Sequence, residues 1–296
     1  MSERTPTTRG LTARAYVELV RPPNVTTATA DVLAGYAVAG APWPGSVGWL
    51  LGATVCLYAG GIVLNDVFDF DIDRLERPER PIPSGRVTRT AAARFGGLLL
   101  AAGAGLAWGG GQATALVAAA TALCILLYDG LGKRQPWGPV NMGACRAGNL
   151  LLGVAATPAA LRWAWPLGFL PLAYITAVTA VSRGEVHGGN RPVAAFALVS
   201  LGAVLLALLW LCSRPHWSPA GLLLVAALVV RVLPPFARAW QSPTASTTRL
   251  AVRSGVLSLM LLDAVLGAVY AGAVYAAGIV VTALAAGWLA RRFAVT

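Results

Sequence analysis

Apolar residues run through this chain in blocks of about 20, divided by short polar segments, and about 20 apolar residues is the length a helix needs to cross a bilayer. We place spans near residues 16–41, 46–68, 88–108, 112–129, 139–157, 165–183, 192–212, 218–236, 250–271 and 273–291. The last two share one apolar stretch too long for a single helix, and we divide it near Ala271-Gly272. If that stretch includes a re-entrant piece, the count falls to nine. The expected fold is therefore all-α, a polytopic transmembrane bundle of nine to ten spans forming one domain over residues 1–296. No block is left over for a soluble domain.

Charge gives these spans a direction. With the N-terminus inside, the inner segments are 1–15, 69–87, 130–138, 184–191, 237–249 and 292–296. They and the adjoining span ends collect the basic residues, Arg162 and Arg214 excepted, while the outer connections near 42–45, 109–111 and 272 hold none. That is the positive-inside pattern, and Arg291-Arg292 favours an even number of spans. Trp43, Trp49, Trp108, Trp163, Trp165, Trp210 and Trp217 fall at the opposite interface as an aromatic belt. Residues 1–15 are polar, with Arg4, Arg9 and Arg14, and read as a cytoplasmic tail without a cleaved signal.

Composition agrees: 57% of residues are hydrophobic and 12% charged, which is membrane-protein composition. The net charge of +11 belongs to the loops between spans, so it implies no nucleic acid. Cys56, Cys124, Cys145 and Cys212 are scattered in apolar segments without metal spacing and read as small packing residues.

The second expected span ends in Asn65-Asp66-Val-Phe-Asp69-Phe-Asp71-Ile-Asp73, and with Glu76 and Glu79 this stretch holds half of the twelve acidic residues. At ~100° per residue, Asn65, Asp66, Asp69 and Asp73 share one helix face and Asp71 points elsewhere. Carboxylates stacked beside a membrane are costly and usually functional. An all-oxygen set suits Mg²⁺, held by a few protein oxygens plus substrate phosphates. A calcium loop fits less well, because Arg74 stands where the turn glycine belongs.

Three polar loops then lie on the inner face, after spans two, four and six. In the first, Pro78, Pro81 and Pro83 deny helix, and Arg77, Arg80 and Arg86 are available to diphosphate oxygens; Arg74 and Arg89 read as ordinary positive-inside charges. The second carries Tyr128 and Lys133, the chain's one lysine. Either they meet a phosphate or leaving group, or they are an interfacial tyrosine and a loop charge. Span five holds Asn141, Arg146 and Asn149, and polar groups so placed normally face a cavity. The third loop, Ser182-Arg183-Gly184-Glu185-Val186-His187, offers Glu185 as a second metal ligand, with His187 a lesser candidate. Arg21 and Asn24 of the first span are candidates for the same cavity, beside a Pro pair that starts or kinks the helix. Asp263 in span nine has no evident partner.

Asn65-Asp66-x-x-Asp69-x-x-x-Asp73, followed by Arg80-Pro-Ile-Pro-Ser-Gly85, resembles the first aspartate motif and trailing loop of the UbiA superfamily of intramembrane prenyltransferases, and the resemblance covers nearly the whole chain. Tyr128 to Lys133 is similar to that family's Tyr-x-x-x-Lys element with one extra residue. Where a second aspartate motif belongs, this chain has Arg183-Gly-Glu185-Val-His187-Gly-Gly. That stretch and the Asn149 element look like the branch encoded in bacterial Ebo gene clusters. The resemblance implies Mg²⁺-dependent transfer of an isoprenyl group from a prenyl diphosphate to a small acceptor, at the cytoplasmic face of a bacterial inner membrane. It implies Asn65, Asp66, Asp69, Asp73 and Glu185 as metal ligands, and Arg80, Lys133 and Arg146 as diphosphate cations. Tyr128 and Asn149 would orient diphosphate or acceptor, and Arg183 and Asn24 would also bind substrate. A membrane terpene cyclase and a non-catalytic carrier or transporter of polyprenyl lipids are the alternatives.

Overall fold

The computed structural model describes residues 8–40, 45–213 and 218–292; the side chains of 8–12, 23, 24, 26 and 283–292 lie outside the description, and so do Trp43, Arg214 and Trp217. Among the described residues every regular element is a helix. In chain order they are α1 (Thr8–Val20), α2 (Pro22–Val38), α3 (Val47–Phe68), α4 (Phe70–Glu76), α5 (Arg89–Ala107), α6 (Gln112–Gly130), α7 (Gly138–Val154), α8 (Pro158–Ala164), α9 (Phe169–Ser182), α10 (Arg191–Cys212), α11 (Pro219–Gln241), α12 (Ala245–Tyr270) and α13 (Ala273–Arg292).

Each expected span has a helix close to its place. Seven of these stretches are long and apolar enough to cross a membrane, among the described residues: α3, α5 with its 3₁₀ extension, α6, α8 with α9, α10, α11 and α12. The expected first span is two helices. The chain breaks at Arg21, whose φ of 49° is the one positive value outside glycine among the described residues, and Pro22-Pro23 opens α2. That leaves α2, like α7, at 17 residues. Division of the last stretch falls where it was expected, with Gly272 at φ 88° in the turn between α12 and α13.

The longer helices α2, α3, α5, α6, α7, α9, α10, α11, α12 and α13 pack side by side in that order, and α13 closes back onto α2. Inside this ring α2 also touches α7 and α12, and α12 touches α9. The α2–α7 contact brings backbones together: a Cβ at Gly35 would strike the Leu150 carbonyl, and one at Gly153 the Val32 carbonyl. Outward, Leu98, Leu116, Val199, Leu206, Leu223 and Val230 are exposed in mid-helix, as expected of side chains whose solvent is lipid. Trp49, Trp108, Trp163, Trp165 and Trp210 are each more than half exposed, in keeping with an interfacial belt.

Candidate active site

The acidic stretch is not one straight helix. Asp69 leaves helical geometry at φ −85°, ψ 2° and separates α3 from α4. Hydrogen bonds nevertheless cross the break, from Asp69 N to Asn65 O at 2.9 Å and from Asp73 N to Asp69 O at 2.8 Å, so the shared face survives. Asp66 and Asp73 are buried, Asn65 and Asp69 half-buried, and Asp71 turned out. Arg89 stacks on Phe70 and donates to the Val67 carbonyl at 3.1 Å, satisfying a helix-end acceptor.

Cations from three segments meet these oxygens. Arg21 donates to Asp66 Oδ1 at 2.6 Å, and Arg80 bridges Asp66 Oδ1 at 3.3 Å and Asp73 Oδ2 at 2.6 Å. Lys133 Nζ donates to Asp69 Oδ2 and reaches Asn65 Oδ1 at 3.4 Å. Asn65 Nδ2 donates to Asp129 Oδ1 at 3.0 Å, a carboxylate outside the expected ligand set. The Pro-rich loop fixes Arg80 locally: its carbonyl accepts from Ser84 N at 3.0 Å and Ser84 Oγ at 2.7 Å. Ile82 and Val87 anchor the loop in a small core with Ala15, Leu19, Val63 and Val67. Arg86 is taken up elsewhere, by Glu18 at 2.5 Å and the Glu79 carbonyl at 2.7 Å, and Arg77 is exposed.

A cavity of about 360 Å³ opens beside this cluster, between α2, α3, α6 and α7. At one end it is lined by Arg21, Asn65, Tyr128, Asp129 and Lys133; Leu57, Ile62, Ile125 and Met142 form apolar wall, and Tyr58, Arg146 and Asn149 line the deeper part. Tyr58 precedes Asn65 by seven helical residues, so the deep end lies about 10 Å further into the membrane.

There a second polar cluster sits. Arg146 Nε is 3.2 Å from Asp31 Oδ2, and its guanidinium carbon is 5.7 Å from the Tyr58 ring centre. Asn149 Nδ2 donates to Asp31 Oδ2 and the Ala28 carbonyl, both at 2.8 Å, and Thr54 Oγ1 donates to Asn149 Oδ1 at 2.5 Å. Asp263 is a buried neighbour of Asp31, and neither of its carboxyl oxygens has a hydrogen-bond partner among the described residues. Asp31 was missed altogether, although a lone acid in an apolar span is the same signal that singled out Arg146.

Several expected site residues have partners other than the aspartates. Arg146 and Asn149 belong to the deep cluster, because α7 carries them past the mouth, and Arg146 is held by Asp31. Arg183 donates to the backbone carbonyls of Gln135 and Lys133, so it ties the third loop to the second. Glu185 has Arg249 of α12 as its charge neighbour, and partial burial raises its pKa above the usual carboxylate range. Gly189 N bonds the Pro243 carbonyl at 3.0 Å, docking the third loop on the α11–α12 connection. His187 is exposed. The side chain of Asn24 lies outside the described residues. No group of three or more His, Cys, Asp or Glu side chains poised for a metal occurs among the described residues.

A membrane-embedded helical ring whose inner face carries paired aspartates and cations defines a class, and sequence comparison gives it a name. The UbiA prenyltransferase family matches residues 25–253, and the chain belongs to that family. It is an integral, multi-pass membrane protein. One relative, the digeranylgeranylglyceryl phosphate synthase of Methanopyrus kandleri, is 37% identical over 164 residues, 53% of this chain and 59% of that protein. The chain thus spans under two thirds of the relative's length. The fold is shared with a structure solved in work on digeranylgeranylglyceryl phosphate synthase in membranes, at TM-score 0.68 and 22% identity over 89% of this chain and 99% of that one. It is also shared with a UbiA homologue from Archaeoglobus fulgidus bound to DMAPP and Mg²⁺, at TM-score 0.53 and 15% identity over 92% and 98%.

Proposed function

We propose that this protein transfers an isoprenyl group from a prenyl diphosphate to a small acceptor within the membrane, in an Mg²⁺-dependent reaction at the cytoplasmic face of a bacterial inner membrane. The observation that carries the reading is the mouth of the cavity, where four oxygen-bearing side chains of one helix face meet Arg21, Arg80 and Lys133. The ligands named for DMAPP- and Mg²⁺-bound A. fulgidus protein, and the product named for the M. kandleri relative, support it.

The donor set fits Mg²⁺ in kind. Asn65, Asp66, Asp69 and Asp73 offer only oxygens from their acidic and amide carbonyl groups, and Mg²⁺ takes few of them when substrate phosphates complete its shell. When bound, it would draw negative charge onto the diphosphate leaving group. Arg21, Arg80 and Lys133 now neutralise the carboxylates; in the complex they turn to diphosphate oxygens, Arg80 and Arg21 through planar forks and Lys133 as a point charge. Tyr128 lines the same mouth and orients the leaving group. As the allylic C–O bond breaks, its electron pair leaves on the diphosphate, and the acceptor forms the new bond to that carbon. The proton the acceptor loses is taken by the diphosphate. The apolar wall of Leu57, Ile62, Ile125 and Met142 keeps water from the allylic carbon.

Chelation tests the reading. Membranes carrying the protein should release diphosphate from labelled geranyl diphosphate, lose that activity in EDTA and regain it with added Mg²⁺. Turnover that persists in excess chelator would remove the metal from the mechanism. A single cyclised product, formed without any acceptor, would replace transfer with cyclisation.

A further inference from the structure

The cavity has two polar ends of different character. Two cations, Arg21 and Lys133, line the mouth, with Arg80 held by the aspartates beside it, which suits a diphosphate. At the deep end a single cation, Arg146, faces two carboxyl groups, Asp31 and Asp263, both fully buried. Arg146 is only 7% exposed and lines the cavity; its Nη1 has no hydrogen-bond partner, and its Nε meets Asp31 as an ion pair without hydrogen-bond geometry. A buried guanidinium left short of acceptors is costly, and Asn149 beside it is locked by Thr54, Ala28 and Asp31. The deep wall is therefore rigid and still short of a ligand.

We propose that Arg146 and Asn149 form the polar subsite for the acceptor, and that this subsite takes a neutral, hydroxyl-bearing group such as a polyol. The inference rests on the prenyltransferase reading and deepens it. Charge decides the class of ligand. A phosphate or carboxylate would add an anion to a low-dielectric wall in which Arg146 is already offset by Asp31, with Asp263 behind. An ammonium would meet Arg146. A hydroxyl accepts from the guanidinium and brings no charge. The apolar wall between the ends then covers the allylic carbon, with the diphosphate on one side and the acceptor on the other. Asp31 is a positioning residue: it holds Arg146 and Asn149 from behind the wall.

The test uses the full chain in lipid nanodiscs with Mg²⁺ and ¹⁴C-geranyl diphosphate. Extract of the cells that make the protein is split on an anion exchanger into a neutral flow-through and an acidic eluate, and each pool is offered as acceptor. Label should enter lipid with the neutral pool. R146Q strands Asp31 and can misfold, so D31N/R146Q, which removes both charges, is measured beside it. Both should bind geranyl diphosphate within twofold of the native protein, which also reports folding, while transfer falls roughly 10- to 100-fold. Transfer confined to the acidic pool, native transfer by D31N/R146Q, or a tenfold loss of donor binding in that variant would overturn the assignment. A native protein that neither binds nor turns over geranyl diphosphate would overturn the prenyltransferase reading itself.

Discussion

Asp66 accepts from both Arg21 and Arg80, and it is 3% exposed. Replacing it with Asn keeps the shape and removes the charge, so two cations lose their shared partner and the proposed metal site one of its oxygens. D66N should lower Mg²⁺-dependent diphosphate release by roughly 10²- to 10³-fold, the cost of removing one preorganised electrostatic group, with membrane insertion unchanged; release assays on membranes with matched protein levels check this. Arg86 and Glu18 offer a contrast. They also form an ion pair, but at 41% and 36% exposure, where such pairs contribute up to about 1 kcal/mol. E18Q should therefore shift thermal unfolding only slightly and leave diphosphate release near the native rate. Much of this was legible from single residues: the shared face of Asn65, Asp66, Asp69 and Asp73 and the outward turn of Asp71. Partnerships were not. Periodicity fixes where a residue points on its own helix but not which helix lies opposite. Asp31 therefore passed unnoticed, and so did the nearness of Arg249 of α12 to Glu185.

At the scale of elements, hydropathy located the helices closely. The expected span 46–68 is α3 at Val47–Phe68, and 192–212 is α10 at Arg191–Cys212. The break at Arg21 falls at the Pro pair expected to start or kink the helix; the break at Asp69 was not foreseen, because the aspartate face runs on through it. Helix contacts need close backbones where residues carry no side chain, and the α2–α7 pair is the clearest case. G35A or G153A would place a methyl against a carbonyl of the facing helix. Each should destabilise the protein by about 1–3 kcal/mol, the usual cost of overpacking, read as a lowered unfolding midpoint in detergent. Gly97 of α5 has nothing near its vacant Cβ position, so G97A should leave that midpoint within error or raise it.

For the whole molecule, the orientation argued from arginine placement has a direct readout. Ser84 lies in the loop after α4 and Gln112 at the start of α6, and both are exposed. In intact cells of a strain lacking the native cysteines, Q112C should react with a membrane-impermeant maleimide, and S84C only after permeabilisation. The reverse pattern would place the mouth of the cavity outside, and with it the donor. The ring closed by α13 on α2 was not legible in advance, since span order along the chain says nothing of closure.

The contact of α2 with α7 through Gly35 and Gly153 has a practical consequence for redesign. No bulk can be introduced along that line without prying two rods apart, so the wall bearing Asp31, Arg146 and Asn149 is effectively fixed hardware. Room for change lies across from it, at Ile62 of α3, which lines the cavity and is only half-buried. Attempts to broaden which acceptors the proposed reaction takes should start there.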